Sequence, residues 1–316
     1  MKITVLDGYA ANPNEFSWDE FKKVADIQVY ERTPENLVLQ RIGESDGIFL
    51  NKVNITKEIL DKCPNLKYIG VLATGFNVVD IKAASEKGIV VTNIPSYSTN
   101  AVAQHVFAFI LNYTNQVQLH SESVHKNDWC KSQDFCYWIS PLQELSGKTL
   151  GIFGYGAIGK QVAKIAHSFD MNVIVCPHNL NTYKGNEKAV SKEELFSESD
   201  FITLHCPLTP ETTNLVNSKT LKLVKKSCMI INTARGGVVN ESEIATALKN
   251  KTFACYAADV IQNEPMEENC PLLNCPNCIL TPHIAWAPKE TRTRLFKIAL
   301  ENLKAFLNGN PINKVN

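Results

Sequence analysis

Short β-branched runs alternate with amphipathic segments along the whole chain, and several of the runs are apolar without polar alternation. One run leads through a glycine-rich turn straight into a helical segment. These observations predict an α/β protein of two doubly wound parallel-sheet domains with a cleft between them, because strands joined by helical crossovers pair in parallel and are covered on both faces. At about 150 residues per domain, 316 residues allow about two domains.

In chain order the predicted strands are Ile3–Leu6, Gly47–Leu50, Tyr68–Leu72, Ile89–Thr92, Thr149–Phe153, Asn172–Cys176, Phe201–Leu204, Cys228–Asn232, Phe253–Asp259 and Cys278–Leu280. The first follows Met1-Lys2 and meets Asp7 after four β-prone residues, an apolar run too short for a signal peptide. Tyr68–Leu72 and Ile230–Asn232 lack alternation, as strands buried on both faces do. Helices are predicted at Thr56–Cys63, Val79–Lys87, Ala157–Phe169, Lys192–Ser197 and Glu241–Lys249. Two longer stretches stand apart. Asn100 to about Ser123 reads as one long helix capped by Ser98 or Asn100, and Pro288–Leu307 as another with Pro288 in its first turn and Gly309 at its end. These place one domain at 100–287 and a discontinuous one at 1–99 plus 288–316, with the polar tail Asn308–Asn316 on the surface.

Lys plus Arg and Asp plus Glu number 32 each, so the chain has no basic surplus for nucleic acid or anionic membrane. No run approaches the ~18 apolar residues of a membrane span. The ten cysteines are scattered, several of them inside apolar runs, which points to reduced thiols and a cytoplasmic protein.

The strand Thr149–Phe153 runs into Gly154-Tyr155-Gly156-Ala157-Ile158-Gly159, then an amphipathic helix and the strand Asn172–Cys176. That context turns a weak glycine pattern into a dinucleotide signature of the Rossmann kind. Gly154 serves the tight turn, Gly156 lets backbone approach a pyrophosphate at the helix N-terminus, and Gly159 permits close helix packing. The acid that usually bonds the adenine ribose is missing, because the strand ends Cys176-Pro177-His178-Asn179. His178 is either a ribose contact or plain loop. The expectation is weak discrimination, with NAD(H) favoured and NADP(H) usable.

Three further patches close predicted strands, where open parallel sheets place ligands. They are Asn232-Thr233-Ala234-Arg235-Gly236-Gly237, Asp259-Val260-Ile261-Gln262-Asn263-Glu264-Pro265 and Thr281-Pro282-His283-Ile284-Ala285. His283 can supply a proton near neutral pH. Glu264 would orient that imidazole, and Arg235 offers a planar fork to carboxylate and carbonyl oxygens. With these patches the chain resembles the D-isomer-specific 2-hydroxyacid dehydrogenases over nearly its whole length. It is most similar to the glycerate dehydrogenase (hydroxypyruvate reductase) branch through Ala73-Thr74-Gly75-Phe76-Asn77-Val78-Val79-Asp80, Asn93-Ile94-Pro95-Ser96-Tyr97-Ser98-Thr99, Gln104-His105 and Phe135-Cys136-Tyr137-Trp138.

The resemblance implies a Rossmann-like and a flavodoxin-like domain, and a catalytic set of Arg235, Glu264 and His283. It implies cofactor contacts from Tyr155, Ala157 and Ile158 at the pyrophosphate, and from Cys206, Pro207 and Thr212 beside the adenosine half. Thr233, Ala234, Asp259 and Ala285 would neighbour the nicotinamide, with Asp259 accepting from its carboxamide. Ala73, Thr74 and Gly75 would meet the substrate carboxylate alongside Arg235 and His283. Phe76 is then a pocket-mouth or a core residue, and Trp138 either closes a partner subunit's site or packs as an ordinary aromatic. The implied substrate is a small 2-keto or 2-hydroxy acid, first hydroxypyruvate with D-glycerate as product, then glyoxylate, in a homodimer with Asn100–Ser123 at its surface. D-Lactate dehydrogenase is the nearest alternative, and a dinucleotide-binding corepressor the alternative of another class. Cys270, Cys275 and Cys278 resemble half a zinc site, but three thiols without paired spacing read as packing or loop residues, so no metal is expected. His105 reads as structural, His205 as a residue near a strand end with a cofactor-side role open to it.

Overall fold

The computed structural model describes all 316 residues. Its elements in chain order are β1 (Lys2–Val5), α1 (Gly8–Ala11), α2 (Asp19–Lys22), β2 (Asp26–Val29), α3 (Val38–Ile42), β3 (Gly47–Leu50), α4 (Lys57–Asp61), β4 (Tyr68–Val71), α5 (Ile81–Glu86) and β5 (Val90–Thr92). There follow α6 (Thr99–Asn115), α7 (Val117–His125), β6 (Thr149–Phe153), α8 (Ala157–His167), β7 (Asn172–Cys176), β8 (Lys188–Ala189), α9 (Lys192–Glu198) and β9 (Phe201–Leu204). The last are β10 (Met229–Asn232), α10 (Glu241–Lys249), β11 (Cys255–Ala258), β12 (Cys278–Leu280) and α11 (Lys289–Leu307). The chain divides into two compact units, Met1–Ser98 with Trp286–Asn316, and Thr99–Ala285.

In the first unit five parallel strands run in the order β2-β1-β3-β4-β5, the doubly wound flavodoxin-like order. One core lies against α3, α4 and α5 (Val38, Ile42, Leu60, Ala83, Ala84), and another holds Phe21, Phe49 and Tyr68 with Leu295, Phe296, Ala299 and Leu303 of α11. Residues Gly47–Leu50 and Tyr68–Val71 are wholly buried, as their unbroken apolar runs require. Two elements differ from expectation. β2, Asp26-Ile27-Gln28-Val29, is an edge strand only half-buried on alternate residues, so it lacks the apolar run that marks the others. The polar tail lies on the surface, as expected, and is also paired: Lys314 bridges Thr92, Val315 N donates to Val91 O, and Asn316 Oδ1 accepts Val91 N. Backbone pairing of this kind closes a sheet edge whatever the polarity of the side chains. Pro288 stands just ahead of α11 in extended conformation instead of inside its first turn.

The second unit holds seven parallel strands in the order β12-β11-β10-β9-β6-β7-β8, a Rossmann-type sheet whose direction of winding reverses between β6 and β9. One face packs on α6 and α8 through Val106, Phe107, Ile110, Val162 and Ala166, the other on α9 and α10 through Leu195, Phe196, Ile244 and Leu248. The long helix expected over Asn100–Ser123 is two helices, broken where Gln116 turns left-handed (φ 48). No proline or glycine marks that break, so helix propensity alone runs through it. Beyond it Val117, Trp129, Phe135, Trp138 and Leu142 stand exposed, Phe135 at 89% and Trp138 at 68%, so Trp138 is not a packed core aromatic.

All ten cysteines are free, and only Cys130 and Cys136 are exposed. No helix is long and apolar enough to cross a membrane.

Candidate active site

The glycine turn sits at the point where the second sheet reverses direction, at the carboxyl end of β6. Gly154 has φ 90, and a Cβ there would fall 2.7 Å from the His205 carbonyl carbon at the end of β9. A side chain at Gly159 would collide with the Gly154 carbonyl, so this third glycine lets α8 start directly beneath the turn. Gly156 is different: a Cβ there meets nothing within 4 Å. It precedes an α8 N-terminus with no side-chain cap, so the first N–H groups of the helix and its positive dipole end face open space. A phosphate group fits that cradle.

After β7, Pro177 is half-buried while His178 and Asn179 are exposed, and Asn179 Oδ1 accepts Asn181 N. The acid nearest the glycine turn comes from further along the chain. Glu187 lies 2.9 Å from His167 Nε2 and 3.4 Å from the Tyr155 hydroxyl. Burial, together with the Glu187 charge beside it, raises the Tyr155 phenol to about 12. After β9, Cys206 is buried, Pro207 is exposed, and the Thr212 hydroxyl closes the loop by donating to Pro207 O at 2.6 Å. His205 has Nε2 2.8 Å from Thr203 Oγ1, a buried Nδ1 without a partner, and a pKa pushed by burial down to about 3. A neutral imidazole therefore lines this loop at physiological pH.

At the carboxyl end of β10, the Asn232 side chain accepts Ala234 N and donates to Arg235 O, 3.0 and 2.9 Å. This small turn presents Arg235, whose Nη1 donates to Ala234 O and which lies within 4.0 Å of no carboxylate. Thr233 Oγ1 is buried with no hydrogen-bond partner in the protein. Gly236 follows, and a Cβ on it would collide with the backbone of Ile261 and Gln262, so the Arg235 and Glu264 loops touch main chain to main chain.

Glu264 and His283 meet. His283 Nδ1 lies 2.6 Å from Glu264 Oε2, while Glu264 Oε1 accepts Ile261 N at 3.3 Å. His283 takes a left-handed backbone (φ 54), uncommon for a residue with a Cβ. The turn is clamped by Asp259, which is 2% exposed: Oδ1 accepts the Thr281 hydroxyl (2.6 Å) and Ile284 N (2.8 Å), and Oδ2 accepts Ala285 N (2.8 Å). Every oxygen of Asp259 thus already has a partner within the protein. His105 joins from α6, its Nε2 2.9 Å from Thr281 Oγ1 and 3.6 Å from Asp259 Oδ1. Because the Thr281 proton goes to Asp259, His105 is the donor. Burial lowers its pKa against the raising charge of Asp259. Sequence reading missed this link, since 176 residues separate His105 from Thr281.

In the first unit, Ala73, Thr74 and Gly75 form the loop after β4. Ile94 N donates to Ala73 O, Asn93 Nδ2 to Thr74 O, and the Thr74 hydroxyl to Ile94 O. Phe76 is half-buried against the core. Asp7 was unforeseen: buried, it accepts the N–H groups of Asn51, Lys52 and Val53, and Asn51 Nδ2 donates to Leu72 O just before Ala73.

Residues 107–285 match the model of the D-isomer specific 2-hydroxyacid dehydrogenase NAD binding domain. The chain is 44% identical to a hydroxypyruvate reductase of Blautia hydrogenotrophica, with all of both chains covered. It is 39% identical to a glycerate dehydrogenase of Methylorubrum extorquens over 94% of each. Its structure resembles that of an acyclic imino acid reductase solved with NADPH and D-arginine, with TM-score 0.88 and 29% identity over 100% of both chains. The matched domain, the two parallel sheets and the full-length likeness agree: this chain belongs to the D-isomer specific 2-hydroxyacid dehydrogenase family.

Proposed function

We propose that the protein is an NAD(P)-dependent D-2-hydroxyacid dehydrogenase that reduces hydroxypyruvate to D-glycerate, with glyoxylate as a second substrate. The observation that carries this reading is the 2.6 Å contact of Glu264 with His283, in the same unit as an arginine without an acidic partner. The relatives named hydroxypyruvate reductase and glycerate dehydrogenase set the substrate class.

A nicotinamide cofactor held by the unit of Thr99–Ala285 would supply hydride chemistry for C2 of the keto acid. His283 does the rest of the proton chemistry: with Nδ1–H donated to Glu264, its Nε2 proton is the one available to the new alkoxide. Glu264 holds the ring in that orientation. Arg235 takes the substrate carboxylate and carbonyl in its fork. In this reading the unit of Thr99–Ala285 binds the dinucleotide, and the unit of Met1–Ser98 with Trp286–Asn316 binds the acid.

Gly154–Gly159 would hold the pyrophosphate, with Tyr155, Ala157 and Ile158 around it. Cys206, Pro207 and Thr212 flank the adenosine, and Thr233, Ala234 and Ala285 the nicotinamide. Asp259 acts mainly as the clamp of the His283 turn, with lone pairs left for the carboxamide. Pro177, His178 and Asn179 face the ribose. No acid stands at that strand end, which supports weak discrimination with a lean to NAD(H). The exposed apolar series from Val117 to Leu142 supports a homodimer, and ten free cysteines support a reducing, cytoplasmic setting.

The test is oxidation of NADH and NADPH, followed at 340 nm, with hydroxypyruvate, glyoxylate and pyruvate offered separately. Hydroxypyruvate is expected to give the highest kcat/KM. A dominant rate with pyruvate would reassign the enzyme to D-lactate, and no oxidation with any of the three would remove the reading.

A further inference from the structure

We propose that Glu241, at the start of α10, is a positioning residue for the acid–base pair: its carboxylate anchors the loop that carries Glu264 and so keeps Glu264 against His283. This rests on the roles assigned to those two residues above.

The loop from Gln262 to Asn269 is exposed throughout and holds no regular structure, so its few attachments decide where Glu264 stands. Glu241 provides two. It is 7% exposed; Oε1 accepts Gln262 N at 2.6 Å, and Oε2 faces the Cys270 thiol at 3.9 Å, so one carboxylate holds both ends of the loop. The helix does not need this carboxylate as its cap, because Asn240 already accepts Glu243 N. On the far side Gly236 rests on the same Ile261–Gln262 backbone, and Glu264 bonds back to Ile261 N. Burying a carboxylate is unfavourable unless donors meet it, and here the donors belong to the segment that bears the catalytic carboxylate. A merely structural helix-start acid would face solvent or the dipole. This one is turned into the loop.

Three full-length variants test it: Glu241→Ala, Glu241→Gln, which keeps an oxygen to accept Gln262 N–H, and Glu241→Asp, which is one methylene short. Four quantities are read: amide hydrogen exchange at 261–264, the His283 imidazole NMR signals, kcat with hydroxypyruvate, and KM for NADH. For Glu241→Ala we expect exchange faster by ~10-fold or more, imidazole signals displaced in the same sense as in Glu264→Gln, kcat lower by ~10-fold or more, and KM for NADH within ~2-fold of the parent. Glu241→Gln is expected to restore all of these, and Glu241→Asp, which serves if the alanine variant does not fold, to resemble Glu241→Ala. Unmoved imidazole signals in both Ala and Asp variants, or a Gln variant as impaired as Ala, would overturn the proposal. If the parent turns over no keto acid, the function assigned above fails, while the exchange and imidazole signals still decide the anchoring.

Discussion

Arg235 is an exposed cation with its own Ala234 carbonyl as hydrogen-bond partner and no acid within reach. An uncompensated guanidinium on a rigid turn is suited to a substrate anion, and its replacement is expected to show in binding and in rate together. Arg235→Ala should lower kcat/KM for hydroxypyruvate by ~10²-fold or more, and Arg235→Lys should recover only part, because an ammonium cannot make the fork. His283→Ala should cost a similar factor in kcat; steady-state kinetics that leave both variants active would remove the mechanism. His205 makes a separate prediction about stability. Its imidazole titrates near 6.5 in an unfolded chain and near 3 in the fold. Between those values the unfolded state binds more protons, so this group leaves stability intact above pH 6.5 and erodes it as pH falls toward 3. Urea midpoints should therefore decline on that acid side, and the decline should flatten in His205→Asn. Arg235, Glu264 and His283 were legible in the sequence because each stands inside a motif at a strand end. The contacts of His105 and Glu187 were not, because they are made with side chains distant in sequence that only the folded chain brings together.

The glycines of the turn before α8 separate two kinds of constraint within one element. Gly156→Ala meets no atom of the protein, so its melting temperature should stay within ~2 °C of the parent, while the Kd for NADH rises by ~10-fold or more as the methyl occupies the phosphate cradle. Gly159→Ala strikes the Gly154 carbonyl and should lower the melting temperature by several degrees, roughly 4 °C or more. Calorimetry and fluorescence titration on the pair distinguish the two effects. The central strands and α8 through α10 could be read from apolar runs and periodicity, since burial on both faces leaves a plain signature. The edge strand β2, the two-residue β8 and the break at Gln116 could not, because half-exposed pairing and a left-handed polar residue leave none.

At the scale of the molecule, both sheets have the doubly wound orders that β/α alternation implies, and each unit carries its own core on both faces of its sheet. The exposed aromatic stretch past α7 predicts association: light scattering should give twice the mass of one chain, and Phe135→Ser with Trp138→Ser should shift that mass toward the monomer. A scattering mass of one chain for the parent would dismiss the homodimer. The distribution of thiols supplies a reporter for the same question. Cys130 and Cys136 sit in that stretch, whereas burial raises the pKa of Cys63, Cys176, Cys206, Cys228, Cys255, Cys275 and Cys278 and withholds their thiolates. A maleimide dye added sparingly at neutral pH would thus label the aromatic stretch first, and dilution that frees it from a neighbour would be read directly as faster uptake of colour.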